Sequence, residues 1–205
     1  MRPARLAAAL AALAALWLAM LLLGAGAADR AVLDFLYAAD RPMLALAARW
    51  LTELGGSPVL IPATAIVALA AWRIGGDWRA PACYVAMTLA GRLLVELQKV
   101  WTMRARPDAH EQLAPIASYA FPSGHAASAT MVWLGAAWLI AKGQARPWAL
   151  GGAALLAFTV GLTRPMLGVH WPSDVVAGWS LGLFWTLLLI RFCETPPKDC
   201  SPASA

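Results

Sequence analysis

Three clusters of polar residues interrupt an otherwise apolar chain of 205 residues, and their types and spacing suit one kind of chemistry. The first is Lys99 with Arg106-Pro107, the second Pro122-Ser123-Gly124-His125, the third Thr163-Arg164 with His170 and Asp174. Lys99, Arg106 and Arg164 bring three positive charges, two of them as planar forks that match phosphoryl oxygens. Ser123 and Gly124 stand directly before an apolar run and open a helix, where free N–H groups and the positive helix end favour an anion. His170 and Asp174 are four residues apart, so the carboxylate can hold one imidazole nitrogen while the other points outward as a nucleophile. His125 is a second histidine, free to give a proton to a leaving oxygen. No carboxylates are grouped to hold Mg²⁺, so the cations must neutralise phosphoryl charge themselves. Neither a metal nor another cofactor is expected.

Taken singly, each residue has a plainer reading. Lysine or arginine at a span end commonly snorkels, Pro-Ser-Gly is an ordinary turn, and Asp174 could cap a helix. Together they would have to reproduce three spacings by accident. In order and spacing the clusters resemble the type 2 phosphatidic acid phosphatase family, which shares its core with vanadium haloperoxidases. That family's pattern is Lys-x6-Arg-Pro, then Pro-Ser-Gly-His, then Ser-Arg-x5-His-x3-Asp, and Thr163 in place of serine is the one departure. The resemblance implies a six-helix membrane enzyme that removes phosphate from a lipid. By that likeness His170 is the nucleophile that forms a phosphohistidine, Asp174 orients it, and His125 is the general acid. Lys99, Arg106, Ser123, Gly124 and Arg164 then bind the phosphoryl group.

The elements that must position these residues are membrane spans. Hydrophobic residues make up 61% of the chain and charged ones 13%, against about 45–50% and 25% for soluble domains. Mean hydropathy is +0.64. Six apolar runs stand out: 6–28, 57–72, 80–97, 126–141, 148–162 and 175–190. Several are shorter than the ~20 residues of a full span, but Trp17, Trp72, Trp101, Trp148 and Trp171 lie at or near their ends as interfacial aromatics do. Arg2 and Arg5 before the first run, and Ala25-Gly26-Ala27 after it, also fit a signal peptide. At 23 residues the run is longer than the ~7–15 of a signal's apolar core, so it is read as a span.

Segment 29–56 is amphipathic, with Met43, Leu46, Ala47, Trp50 and Leu54 in one stripe and Arg49 paired with Glu53 on another face. It is expected along the outer membrane surface, broken at Arg41-Pro42. Residues 1–192 form one domain and 193–205, with three prolines and no apolar period, a disordered tail. The cysteines, Cys83, Cys193 and Cys200, are too few for a disulfide framework. Arg92 and Glu96 read as a buried charge network supporting Lys99, and His110 as a solvated loop residue.

Basic residues orient the spans. With a cytoplasmic N-terminus the inside segments hold eight basics in 33 residues, the outside segments seven in 68. Both termini are therefore expected in the cytoplasm and all three clusters outside, at the periplasmic face of a bacterial-type inner membrane. The expected partners are the membrane and a lipid phosphate of the outer leaflet, with no nucleic acid. Undecaprenyl diphosphate is the preferred substrate, phosphatidylglycerophosphate and phosphatidate the alternatives. A lipid or anion transporter and a vanadate-dependent haloperoxidase remain as more distant readings.

Overall fold

Apolar runs punctuated by proline and glycine become eight helices in the computed structural model, which describes residues 2–116 and 118–194. These are α1 (Pro3–Leu23), α2 (Ala27–Leu36), α3 (Pro42–Glu53), α4 (Ser57–Gly75), α5 (Arg79–Thr102), α6 (Gly124–Ile140), α7 (Ala145–Met166) and α8 (Pro172–Glu194). Proline occupies the first turn of α1, α3 and α4, where its missing N–H costs nothing. Gly76, at φ +71°, closes α4 in the left-handed region. No strand occurs among the described residues.

Five helices are long and apolar enough to cross a bilayer: α1, α4, α5, α7 and α8. The remaining apolar run, 126–141, becomes α6, which has 17 residues and spans only ~25 Å at 1.5 Å per residue. Its environment explains the length. α6 packs against α4, α5, α7 and α8 and is buried on nearly every side, from Ala126 to Leu139. A helix apolar all round belongs at the centre of a bundle. Gly178 of α8 lets the two backbones close up, since a Cβ there would stand 2.6 Å from the Ser123 carbonyl oxygen.

The first run ends as a helix at Leu23 rather than Ala28, because Gly24 and Gly26 interrupt it. α1 packs along α8, and Trp17 donates to Gln98 Oε1 at 3.2 Å while meeting Phe121 edge-on. Trp17 is thus a packing residue rather than an interfacial one. So is Trp171, 5% exposed, whose indole N–H reaches the Ala105 carbonyl. Trp72, Trp101 and Trp148 are exposed.

Segment 29–56 divides into α2 and α3 on either side of residues 37–41. Ala45, Ala48 and Thr52 turn inward while Met43, Leu46 and Trp50 stay exposed, and α3 packs on α7. Among the described residues Arg49 and Glu53 form no ion pair, contrary to expectation. His110 is not merely solvated: Nε2 lies 2.7 Å from Asp34 Oδ1 and its ring stacks on Tyr37. α8 continues to Glu194, so Cys193 belongs to the helix and not to a tail. The remaining expected tail, with Cys200, lies outside the described residues.

Candidate active site

Antiparallel packing brings the C-terminal ends of α5 and α7 together with the N-terminal ends of α4, α6 and α8. Lys99, Arg106, Gly124, His125, Arg164 and His170 consequently line one cavity of about 490 Å³. Ser123 and Asp174 stand directly behind it, both fully buried.

His170 sits between α7 and α8, 2% exposed. Its Nε2 is 3.2 Å from Nη1 of Arg106. Its Nδ1 is buried without a hydrogen bond, with Asp174 Oδ2 at 3.5 Å. Burial holds the imidazole well below its ordinary pKa of 6.5, and the charges of Arg164, Arg106 and Lys99 act in the same direction. The imidazole is therefore uncharged in this site.

Asp174 is fixed from three sides. Oδ2 accepts the Trp171 N–H at 2.9 Å, Oδ1 accepts from Arg104 Nη1 at 2.9 Å, and its carbonyl accepts the Ser123 N–H at 2.9 Å. That last bond ties α8 to the start of α6. Ser123 caps α6, its hydroxyl accepting the Ala126 N–H at 3.5 Å. Gly124 follows, and a Cβ there would stand 3.2 Å from Lys99 Nζ. Glycine thus lets the ammonium reach the open N-terminus of α6, where backbone N–H groups already favour an anion.

The cations are held from behind. Lys99 Nζ donates to Glu96 Oε1 at 3.0 Å and to Ser118 Oγ at 3.1 Å. Arg106 donates to the carbonyls of Ser118 at 2.7 Å and Val169 at 2.6 Å. Burial lowers its pKa from 12.5, while the carboxylates of Asp174 and Glu96 act against that shift, and the guanidinium stays charged. Arg164 is 4% exposed, donates from Nη1 to Thr52 Oγ1 at 2.7 Å, and leaves Nε without a partner. The His125 ring makes no hydrogen bond among the described residues, and the residue lines the cavity. Thr163, in the serine position of the third cluster, donates its hydroxyl to the Val160 carbonyl at 2.6 Å, within its own helix.

The eight candidate site residues lie together at this end of the bundle, six lining the cavity and Ser123 and Asp174 behind it. Arg104 was not among them. Nη1 reaches Asp174, Nη2 reaches the carbonyls of Met20 at 3.0 Å and Leu21 at 2.6 Å, and the guanidinium lies 4.3 Å from the Phe121 ring centre. The end of α1 is thereby linked to the carboxylate behind His170. Asp29, 9% exposed, accepts the N–H and hydroxyl of Ser173 beside it. The sequence offered one sign of Arg104, a basic residue outside the membrane with no role assigned. Thr52, Ser118 and Asp29 gave none. The expected network of Arg92, Glu96 and Lys99 is corrected in part: Glu96 pairs with Lys99, but its side chain is 61% exposed, and Arg92 donates to Ser57 Oγ instead. Among the described residues no group of His, Cys, Asp and Glu has the makings of a metal site.

Residues 80–196 match the model of the PAP2 superfamily. Phosphatidylglycerophosphatase B of Bacillus subtilis is 30% identical over 175 residues, which cover 82% of this chain and 84% of the relative. An undecaprenyl-diphosphatase of Sulfolobus acidocaldarius is 39% identical over 79 residues, 38% of this chain and 36% of its own. The crystal structure of a transmembrane PAP2 type phosphatidylglycerolphosphate phosphatase from Bacillus subtilis superposes with a TM-score of 0.84 at 28% identity, over 90% of this chain and 96% of that one. LpxE from Aquifex aeolicus, at 21% identity and a TM-score of 0.65, shares the fold.

Proposed function

The chain belongs to the PAP2 superfamily, and we propose that it hydrolyses a lipid phosphate through a phosphohistidine on His170. It is a membrane protein and a phosphatase acting on lipid phosphates; the route and the roles of its residues are our reading. Nε2 of His170 attacks phosphorus in line. The N–P bond forms as the P–O bond to the lipid breaks, and His125 gives its proton to the departing lipid oxygen. Water then attacks phosphorus, His125 takes its proton, the N–P bond breaks, and inorganic phosphate leaves. Lys99, Arg106, Arg164 and the α6 N-terminus stabilise the charge of the transferring group without a metal.

The observation that carries this reading is the 3.2 Å approach of Arg106 Nη1 to His170 Nε2. Arginine only donates, so Nε2 is the unprotonated nitrogen; its lone pair rests on Arg106 and is freed for attack when a phosphoryl group in the cavity draws the guanidinium onto its own oxygens. A phosphoryl group seated there meets the nucleophile and all three cations at once.

For the substrate we place phosphatidylglycerophosphate first and undecaprenyl diphosphate second, the reverse of the order the sequence alone suggested. The reason is breadth of likeness: the match to a phosphatidylglycerophosphatase runs through most of both chains, the match to an undecaprenyl-diphosphatase through little more than a third. We further propose six spans, with α6 as the short central one, cytoplasmic termini, and a site at the outer face of the inner membrane. The bias of basic residues and the exposed stripe of α3 support this arrangement. The test is phosphate release by detergent-purified protein from a panel of lipid phosphates. Release from phosphatidylglycerophosphate supports the proposal. Binding without release from any member would favour a transporter and contradict it.

A further inference from the structure

Arg92 is a positive charge in an apolar helix, outside the phosphate cluster. It lies in α5, half-buried, and lines the same cavity as Lys99 and His170. Its Nη2 donates to Ser57 Oγ at 2.6 Å, and among the described residues it has no ion pair. Glu96, one turn further on, pairs with Lys99. A charge on a spanning helix without a direct ion pair is expensive and marks a functional position by default. Ser57 is the first residue of α4, so the guanidinium sits level with that helix's opening turn, where an anionic headgroup can reach it.

Lys99, Glu96 and Arg92 follow one another along a single face of α5, at i, i−3 and i−7. From Lys99 to Arg92 the helix rises ~10 Å. Leu93, next to Arg92 on α5, lines the cavity and is also exposed on the surface. The wall therefore presents, in order, a cation cluster, a carboxylate, a second cation and an apolar exit. Phosphatidylglycerophosphate has the matching order: a terminal phosphate, a glycerol hydroxyl, a phosphodiester and two acyl chains.

We propose that Arg92 and Ser57 form a second anion subsite that holds the phosphodiester of a glycerol-bridged bisphosphate lipid. Its terminal phosphate lies among Lys99, Arg106 and Arg164. The inference rests on the phosphatase reading above and deepens it. The free glycerol hydroxyl donates to Glu96, an acceptor that would repel a phosphate placed there. A lipid diphosphate fits less well, because its two phosphorus atoms share one oxygen and cannot span the distance between the two cation groups. Phosphatidate has a single phosphate and leaves the Arg92 subsite empty.

The test compares phosphatidylglycerophosphate with phosphatidate on the full-length protein in detergent. The readout is the ratio of their kcat/KM values. Both lipids are measured on one preparation, so any loss of folded protein cancels. In Arg92→Gln the ratio should fall about tenfold or more, as for removal of a charged hydrogen bond. Arg92→Lys, which keeps the charge but loses the fork, should fall several-fold, and it decides the matter if the glutamine variant does not fold. A ratio within about twofold of wild type overturns the subsite and leaves the phosphatase reading standing. Wild-type protein that releases phosphate from neither lipid but from another lipid phosphate overturns the subsite alone, and release from no lipid phosphate overturns both.

Discussion

Nη1 of Arg106 stands 3.2 Å from Nε2 of His170, and this contact sets the tautomer of the imidazole. A guanidinium has no acceptor, so Nε2 keeps its lone pair and the proton resides on Nδ1, facing Asp174 Oδ2 at 3.5 Å. In the proposed mechanism Nε2 is thus kept unprotonated, its lone pair held by Arg106 until substrate engages the guanidinium, and the Nδ1–H to Asp174 contact tightens as positive charge develops on the ring.

This arrangement has a pH signature. Burial first, then the charges of Arg164, Arg106 and Lys99, hold His170 well below 6.5. A lowered pKa keeps the imidazole neutral further into acid, so activity is lost only as pH falls through the lowered value. After correction for substrate ionisation, the acid limb of kcat/KM should lie below pH 6.5, the ordinary histidine value. Arg106→Gln removes one of the charges responsible, and the residual limb should move upward. A wild-type limb at or above the ordinary value would contradict the electrostatic reading.

Arg104 should act through Asp174 and not on substrate. Arg104→Gln leaves a fully buried carboxylate without its charged partner, which destabilises the fold and loosens the His170 ring. The expected result is a fall in kcat of about 100-fold, the usual consequence of a misplaced catalytic group, with KM little changed and a lower Tm. Loss expressed mainly in KM would instead assign Arg104 to substrate binding.

Chelation should leave turnover intact. Lys99, Arg106 and Arg164 line the cavity proposed to take the phosphoryl group, and the described residues offer no group of metal ligands there. Vanadate should inhibit, since its trigonal-bipyramidal form resembles the transferring phosphoryl group. Loss of activity in EDTA that Mg²⁺ restores would reassign the charge neutralisation to a metal.

Much of the site was legible because it is written in short spacings. Lys99 to Arg106, Ser123 to His125 and His170 to Asp174 are each close in sequence, so short stretches of chain at helix ends keep their residues near one another. The helices were legible for the same reason, since apolar runs need no partner to be recognised. What the sequence hid depends on contacts between distant segments. Arg104 reaches α1 some eighty residues back, Thr52 reaches Arg164 across α3 and α7, and α6 is short because four helices enclose it. Arg92 and Glu96 misled because a four-residue spacing suits an ion pair, yet Lys99 and Ser57 compete for the two partners.

Topology can be checked with single cysteines in a background lacking the native ones. Tyr119→Cys stands in the loop at the site end, Lys142→Cys at the opposite end of the bundle, and both positions are exposed. In intact cells a membrane-impermeant thiol reagent should label the first and not the second. The reverse pattern would move the chemistry to the cytoplasmic face.

The covalent step is tested most directly by rapid quenching of the enzyme with a lipid labelled in its terminal phosphate. The expected result is an acid-labile, alkali-stable label on His170, absent from His170→Ala. It should accumulate in His125→Ala when the leaving group needs no proton, because the base for hydrolysis is then missing. Phosphate release without a trapped label, or more than a few per cent of turnover surviving in His170→Ala, would contradict the phosphohistidine route.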